Sequence, residues 1–247
     1  MTWKDKLTLW EKDEIQPMVH KDIDRSYAIA RIDVGRKFIK HSGIDLKNKK
    51  VLDVAVGCGG ILCAFAEKGA KCYGLDVNYY FIEISKQRFK GMNLDAKLRY
   101  WNGVIIPYDD EYFNFVICTD TLEHVPDWRS FVKEICRVLK KGGHIFFSTE
   151  RRWFPYFIWK DPHNDKPFVI LLPKPMRDFI QSRILGLPIL DYHFFSRASE
   201  IKKEFKKYGV IMKDFDNIKR ENFNKKNFPK WSWHIYNLMF IQLLGEK

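Results

Sequence analysis

Residues 51–60 read Val51-Leu52-Asp53-Val54-Ala55-Val56-Gly57-Cys58-Gly59-Gly60. A short β-branched apolar run carries an acid inside it and ends in a cluster of small residues. The run has the composition of a strand buried on both faces. An unpaired carboxylate is costly to desolvate in such a place, so Asp53 needs a functional reason. A strand, a small-residue turn and a helix together form a ready site for a nucleotide-like ligand.

The dinucleotide fingerprint G-x-G-x-x-G would require a third glycine at position 62, which is Leu62. Asp53 would also repel a pyrophosphate. It suits a ligand that carries positive charge, such as an amino group or a sulfonium. Asp76 ends the next strand, within Gly74-Leu75-Asp76-Val77-Asn78, and is placed to accept both hydroxyls of a ribose.

Working outward, apolar strands at 50–55, 71–76, 97–101, 113–119 and 144–149 alternate with helical stretches near 60–68, 79–90 and 127–140. That alternation predicts a doubly wound parallel sheet with helices on both faces. The helix of 127–140 is expected to stop at Gly142-Gly143. Upstream, Ile23, Tyr27, Ala30, Val34 and Phe38 share one face of a helix that Gly43 ends. Four parts follow: an N-terminal helical segment (1–48), a cofactor-binding core (49–150), a substrate-side insertion or lid (151–195), and a closing part (196–247). The last part holds a helix from Ser196 to Gly209 and strands at 210–215 and 236–244.

The 247 residues are 46% hydrophobic and 30% charged, an ordinary globular balance. Lys and Arg outnumber Asp and Glu by 43 to 31, giving +12. That charge is compatible with nucleic acid, an anionic membrane surface or an acidic substrate. The basic clusters are short, however, so solvated lysines account for it. The five cysteines, Cys58, Cys63, Cys72, Cys118 and Cys136, are scattered and never spaced C-x-x-C. They read as reduced, buried small hydrophobes. Neither a signal peptide nor an eighteen-residue apolar span is visible. The expected location is therefore cytoplasmic, with peripheral contact at the inner membrane face as an option.

The whole series, from "VLDVAVGCGG" through "GLDVN" to "YFNFVICTDTLEHVPDWRSFVKEICRVLKKGGHIFFSTE", resembles a class I S-adenosylmethionine-dependent methyltransferase of the type 11 kind. The resemblance implies a Rossmann-like seven-stranded sheet, ordered 3-2-1-4-5-7-6 with the last strand antiparallel. It also implies S-adenosylmethionine as cofactor. Asp53 would hold the cofactor's methionine end, and Gly57, Cys58 and Gly59 would approach it with their backbone. Asp76 would take the ribose, Val77 would pack on the adenine, and Asn102 with Gly103 would lie at the adenine edge. Thr119, ending the fourth strand, completes the set. Ala55 stands where the family's loop has its first glycine, which is tolerable if its φ is negative.

Asp120, Glu123 and His124 follow the fourth strand at i, i+3 and i+4, and would share one face of a helical turn. Three roles are open to them: a general base with its carboxylates, an oxygen-rich divalent site as in ubiquinone-pathway O-methyltransferases, or a scaffold for the loop. The segment is widespread in the superfamily, so scaffold is the expectation and no metal is assigned. The insertion is similar to that of methyltransferases among bacterial glycan, glycolipid and natural-product genes, through Phe154, Pro155, His163, Pro167, Phe168, Leu172 and Pro173. Its candidate substrate contacts are Trp153, Phe154, Trp159 and His163, with His193 near its end. The implied reaction is methyl transfer, by an O-directed in-line displacement, to a small molecule or a lipid-linked glycan. The alternatives are a tRNA or rRNA acceptor, without an amino-methylating N/D-P-P-Y/F/W motif to support it, and a metal-assisted O-methyl transfer like that of the ubiquinone pathway.

Overall fold

The computed structural model describes residues 25–150, 172–184, 198–214 and 240–247. Its elements are α1 (Arg25–Ser42), β1 (Lys50–Val54), α2 (Gly60–Ala66), β2 (Lys71–Asp76), α3 (Tyr79–Gly91), β3 (Ala96–Tyr100), β4 (Phe113–Thr119), α4 (Trp128–Val138) and β5 (Leu139–Glu150). After these come α5 (Lys174–Phe179), α6 (Ala198–Lys206), β6 (Ile211–Asp214) and β7 (Phe240–Glu246). The strands form one sheet of order β3-β2-β1-β4-β5-β7-β6. β7 runs antiparallel to both β5 and β6. The order expected from the resemblance is the observed one.

The strands carry apolar side chains on both faces because helices cover both. Along β1, Val51 joins one apolar cluster, while Leu52 and Val54 join the other. This is the period-two alternation of a strand. Phe38, Leu62, Phe65, Ile82 and Phe89 bring α1, α2 and α3 onto Val51's side. On the opposite side Phe131, Val132, Ile135, Ile201 and Phe205 bring α4 and α6 onto Leu52 and Val54. The five cysteines are all buried and free. Burial pushes the Cys63 and Cys136 thiols up to about 12, so they behave as small apolar groups.

Two local expectations are corrected. α4 ends at Val138 rather than at the glycine pair, because the fully buried Leu139 extends to pair with Phe113 in β4. Gly142, at φ +68, and Gly143 instead form the irregularity across which the ladder resumes at Phe115 and His144. Among the described side chains of α1, Ile32, Gly35, Phe38 and Ile39 are buried, and Val34 is partly buried against the same cluster. The buried face therefore extends beyond the expected Val34 and Phe38 to Ile32, Gly35 and Ile39, because Gly35 lies against α2. A Cβ on Gly35 would lie 2.8 Å from Ala64 Cβ and 2.9 Å from the Ile61 carbonyl oxygen.

The sheet positions the site through its order. β1 and β4 are neighbours at the centre, and the chain leaves them toward opposite sides, which opens a crevice at their C-terminal ends. Most of the aromatic insertion, including Trp153, Phe154, Trp159, His163 and His193, lies outside the described residues. No described helix is long and apolar enough to cross a membrane.

The Gly35 contact yields a test. Gly35→Val should destabilise the protein by about 1–3 kcal/mol, because the added methyls meet backbone that cannot move aside. Chemical denaturation with an unchanged midpoint would show that α1 does not sit this closely on α2.

Candidate active site

At that crevice lies a cavity of about 600 Å³, lined from α1, the ends of β1, β2 and β4, and the loops that follow them. It brings together all ten residues expected to face the cofactor except Gly59: Asp53, Ala55, Gly57, Cys58, Asp76, Val77, Asn102, Gly103 and Thr119 line the wall. Gly59 sits just behind, as N-cap of α2, at φ +77. A side chain there would fall 2.9 Å from Ser85 Oγ.

The loop is held from both sides. The Gly57 N–H donates to Asp76 Oδ2 at 2.9 Å, and Ser85 Oγ donates to the Gly57 carbonyl at 2.7 Å. Arg88 donates to the Cys58 carbonyl. Asp76 Oδ1 also accepts from the Asn78 N–H, and Asn78 in turn caps α3 through the Tyr80 N–H. Burial pushes the Asp76 carboxyl up to about 6, against the opposing pull of these backbone donors.

Asp53 is the contrasting case. It is 3% exposed, and its Oδ1 is buried with no hydrogen-bond partner. Burial drives its carboxyl well above the usual range, the Arg31 guanidinium opposes that rise, and Asp76 adds to it. Ala55 departs from expectation, since its φ is +66, in the left-handed region. The loop keeps the backbone path of a glycine with an L side chain in place, at a cost of about 1–2 kcal/mol.

The segment after β4 also departs from expectation. Asp120, Glu123 and His124 do not share a helical face, because Asp120 sits at φ +51 outside the single 3₁₀ turn Leu122–His124. Arg31 Nη1 donates to Asp120 Oδ2 at 2.7 Å, and Ser148 Oγ donates to Oδ1 at 2.8 Å. Glu123 is 1% exposed and turns inward, where Thr149 Oγ1 donates to its Oε2 at 2.7 Å. His124 is exposed on the cavity wall. Among the described residues no group of three His, Cys, Asp or Glu side chains is placed to hold a metal ion.

The cavity wall also holds residues that sequence reasoning missed. Arg31 reaches in from α1 and touches Thr119 Oγ1 as well as Asp120. Trp101 stacks on Phe131 with ring centroids 5.9 Å apart and anchors its indole N–H on the Ile105 carbonyl. A single arginine in a charged helix has no distinguishing pattern. Trp101 directly precedes Asn102, so its position in the third crossover was the available signal.

Fold and site together define a class I S-adenosylmethionine-dependent methyltransferase, and the chain belongs to that family. The Methyltransferase domain family matches residues 52–147. A ubiquinone biosynthesis O-methyltransferase of Coxiella burnetii is 32% identical over 184 residues, covering 74% of this chain and 71% of the relative. One from Acinetobacter baylyi is 29% identical, covering 72% and 70%. Among solved structures, an S-adenosylmethionine-dependent methyltransferase from Mesorhizobium loti superposes with a TM-score of 0.61 at 14% identity, covering 87% of this chain and 100% of that one. That likeness is one of fold. The cofactor of this enzyme is S-adenosylmethionine. The site suits it, since Asp53 on the cavity wall has a buried carboxyl oxygen without a partner, which fits a ligand with a cationic end, and the glycine loop leaves room for close approach.

Two outcomes are expected. Ala55→Gly should stabilise the protein by about 1 kcal/mol by relieving the left-handed alanine, read as a raised urea midpoint. Asp76, raised from 3.8 to about 6 on folding, contributes stability that is complete below the unfolded value and lost as pH rises through the folded one. The cofactor-free protein should therefore lose stability between about pH 4 and pH 6 through this group, and Asp76→Asn should flatten that part of the profile. An identical slope in the variant would show that Asp76 does not titrate there.

Proposed function

We propose that the enzyme methylates a hydroxyl oxygen of a small organic acceptor by in-line displacement. The observation that carries this reading is the 32% identity to a ubiquinone biosynthesis O-methyltransferase across most of both chains. When bound, the cofactor supplies a sulfonium-activated methyl group. The protein then has to align the acceptor and, where the hydroxyl is protonated, accept its proton.

On this reading Asp53 and Arg31 face the cofactor's methionine end. Asp76, held by the Gly57 and Asn78 backbone N–H groups on the cavity wall, is the acceptor offered to the ribose hydroxyls. Val77, half-exposed, and Gly103 lie side by side and offer the adenine one apolar seat, which a Cβ on Gly103, 3.3 Å from Val77 Cγ1, would crowd. Trp101 and Phe131 give the wall an aromatic surface on which a planar group can stack. The engagement of Asp120 and Glu123 with Arg31, Ser148 and Thr149 supports scaffold roles for both. The exposure of His124 on the cavity wall supports its role as the base.

The direct test is incubation with methyl-labelled cofactor and a panel of phenols, hydroxy acids and isoprenoid phenols, with mass spectrometry of the products. A methyl ether supports the assignment, whereas N- or C-methyl products alone overturn it. His124→Ala should lower turnover about 10²–10⁴-fold with an unchanged melting temperature. Glu123→Ala should lose stability and activity together, since it strips Thr149 of a buried acceptor. A fully active His124→Ala enzyme would return the histidine to the scaffold.

A further inference from the structure

Asp53 and Asp76 end adjacent strands of one cavity, yet only Asp76 has backbone donors on both oxygens. Around Asp53 the charged and titratable groups come from four directions. Arg31 faces it from α1, and Asp76 and Cys72 from β2. Cys63 lies toward it from α2, and Cys118 from β4. Burial holds the three thiols neutral. Arg31, the cation of this set, is already engaged at 2.7 Å with Asp120, on the loop after β4. An ionised Asp53 in the cofactor-free protein would therefore share Arg31 with Asp120, with no hydrogen bond to Oδ1 and a second carboxylate nearby. Burial on that scale favours the neutral acid.

We propose that Asp53 receives the cofactor by proton exchange: the empty site holds the group as a neutral acid, and entry of the ammonium-bearing methionine end sends its proton to solvent. The O–H bond of the carboxyl breaks, the proton passes to water or buffer, and the carboxylate stays behind paired with the ammonium. Asp53 thereby makes the methionine end, rather than the adenosine, the pH-sensitive half of recognition. Below the pH at which the empty-site carboxyl ionises unaided, affinity for ligands carrying that end should rise up to tenfold per pH unit. This goes beyond the choice of methyl acceptor and rests only on the family's cofactor.

The experiment is titration calorimetry near pH 6.5, where an α-amino group is itself protonated, in buffers of differing ionisation enthalpy. The ligands are S-adenosylhomocysteine and 5′-methylthioadenosine, which lacks the amino-acid end. Both engage the ribose carboxyl, so the contribution of Asp76 cancels. S-adenosylhomocysteine should release close to one proton more than 5′-methylthioadenosine, and Asp53→Asn should still bind it with that excess gone. Equal release by the two ligands, or an excess that survives in Asp53→Asn, overturns the proposal. A measurement on the unaltered enzyme does not depend on the variant. The infrared carbonyl band of a protonated carboxyl should lose intensity on adding S-adenosylhomocysteine beyond what 5′-methylthioadenosine removes, and equal loss with the two ligands overturns the proposal as well. Failure of S-adenosylhomocysteine to bind would instead remove the cofactor assignment itself, and the proposal with it.

Discussion

A carboxyl that must sit at the end of a strand buried on both faces constrains most of this site. β1 lies between two apolar clusters, so nothing on its own strand can solvate Asp53. The neighbouring positions in the ladder are Gly74 on β2 and Ile117 on β4, neither of which offers a side-chain donor. Help has to come from outside the sheet, and α1 brings it by carrying Arg31 over the strand ends. The same arginine bonds Asp120 and Thr119, which ties α1 to the segment after β4. Asp120 is itself held to β5 through Ser148. A single part-exposed ion pair of this kind contributes little to stability. Its value is placement, since it fixes three elements around one cavity.

The loop between β1 and α2 follows the same logic. Its backbone visits the left-handed region at Ala55, Gly57 and Gly59, a path that only contacts with neighbouring elements can hold. Asp76 grips it from β2, and Ser85 and Arg88 grip it from α3. Asp76 thus has a structural duty before any ligand arrives, and that grip fixes its carboxyl on the cavity wall.

The sheet was legible because its signal is periodic and repeated. Short apolar strands and the interposed helices pointed to a doubly wound parallel sheet, and the order of its seven strands came from the family resemblance. That order also explains why residues at separate strand ends, such as Asp53, Asp76 and Thr119, meet on the wall of one cavity. What escaped was set by tertiary contact. The face that α1 buries depends on Gly35 finding Ala64. The end of α4 depends on Leu139 finding Phe113. The conformation of Ala55 could not be read from its side chain, which argues for negative φ. Asp120, Glu123 and His124 show the limit of helical spacing: the spacing is correct for one face, but pairing to Arg31 and Ser148 holds Asp120 outside the turn.

A reaction whose donor is already activated asks the protein for alignment more than for strong acid–base chemistry. The distribution of interactions agrees with that demand. After β4, Asp120 and Glu123 are bonded to side chains of neighbouring elements, while His124 is exposed on the cavity wall. Glu123, fastened to Thr149 on β5, holds the turn that presents His124, so the carboxylate acts on the site through geometry. The polar groups of the wall therefore divide by what lies behind them. Those with protein partners on both sides, such as Asp76 and Asp120, set the shape of the cavity. Asp53 stands apart from them, since its buried Oδ1 has no protein partner, and it is therefore the group on which the proposed recognition of a cationic end rests.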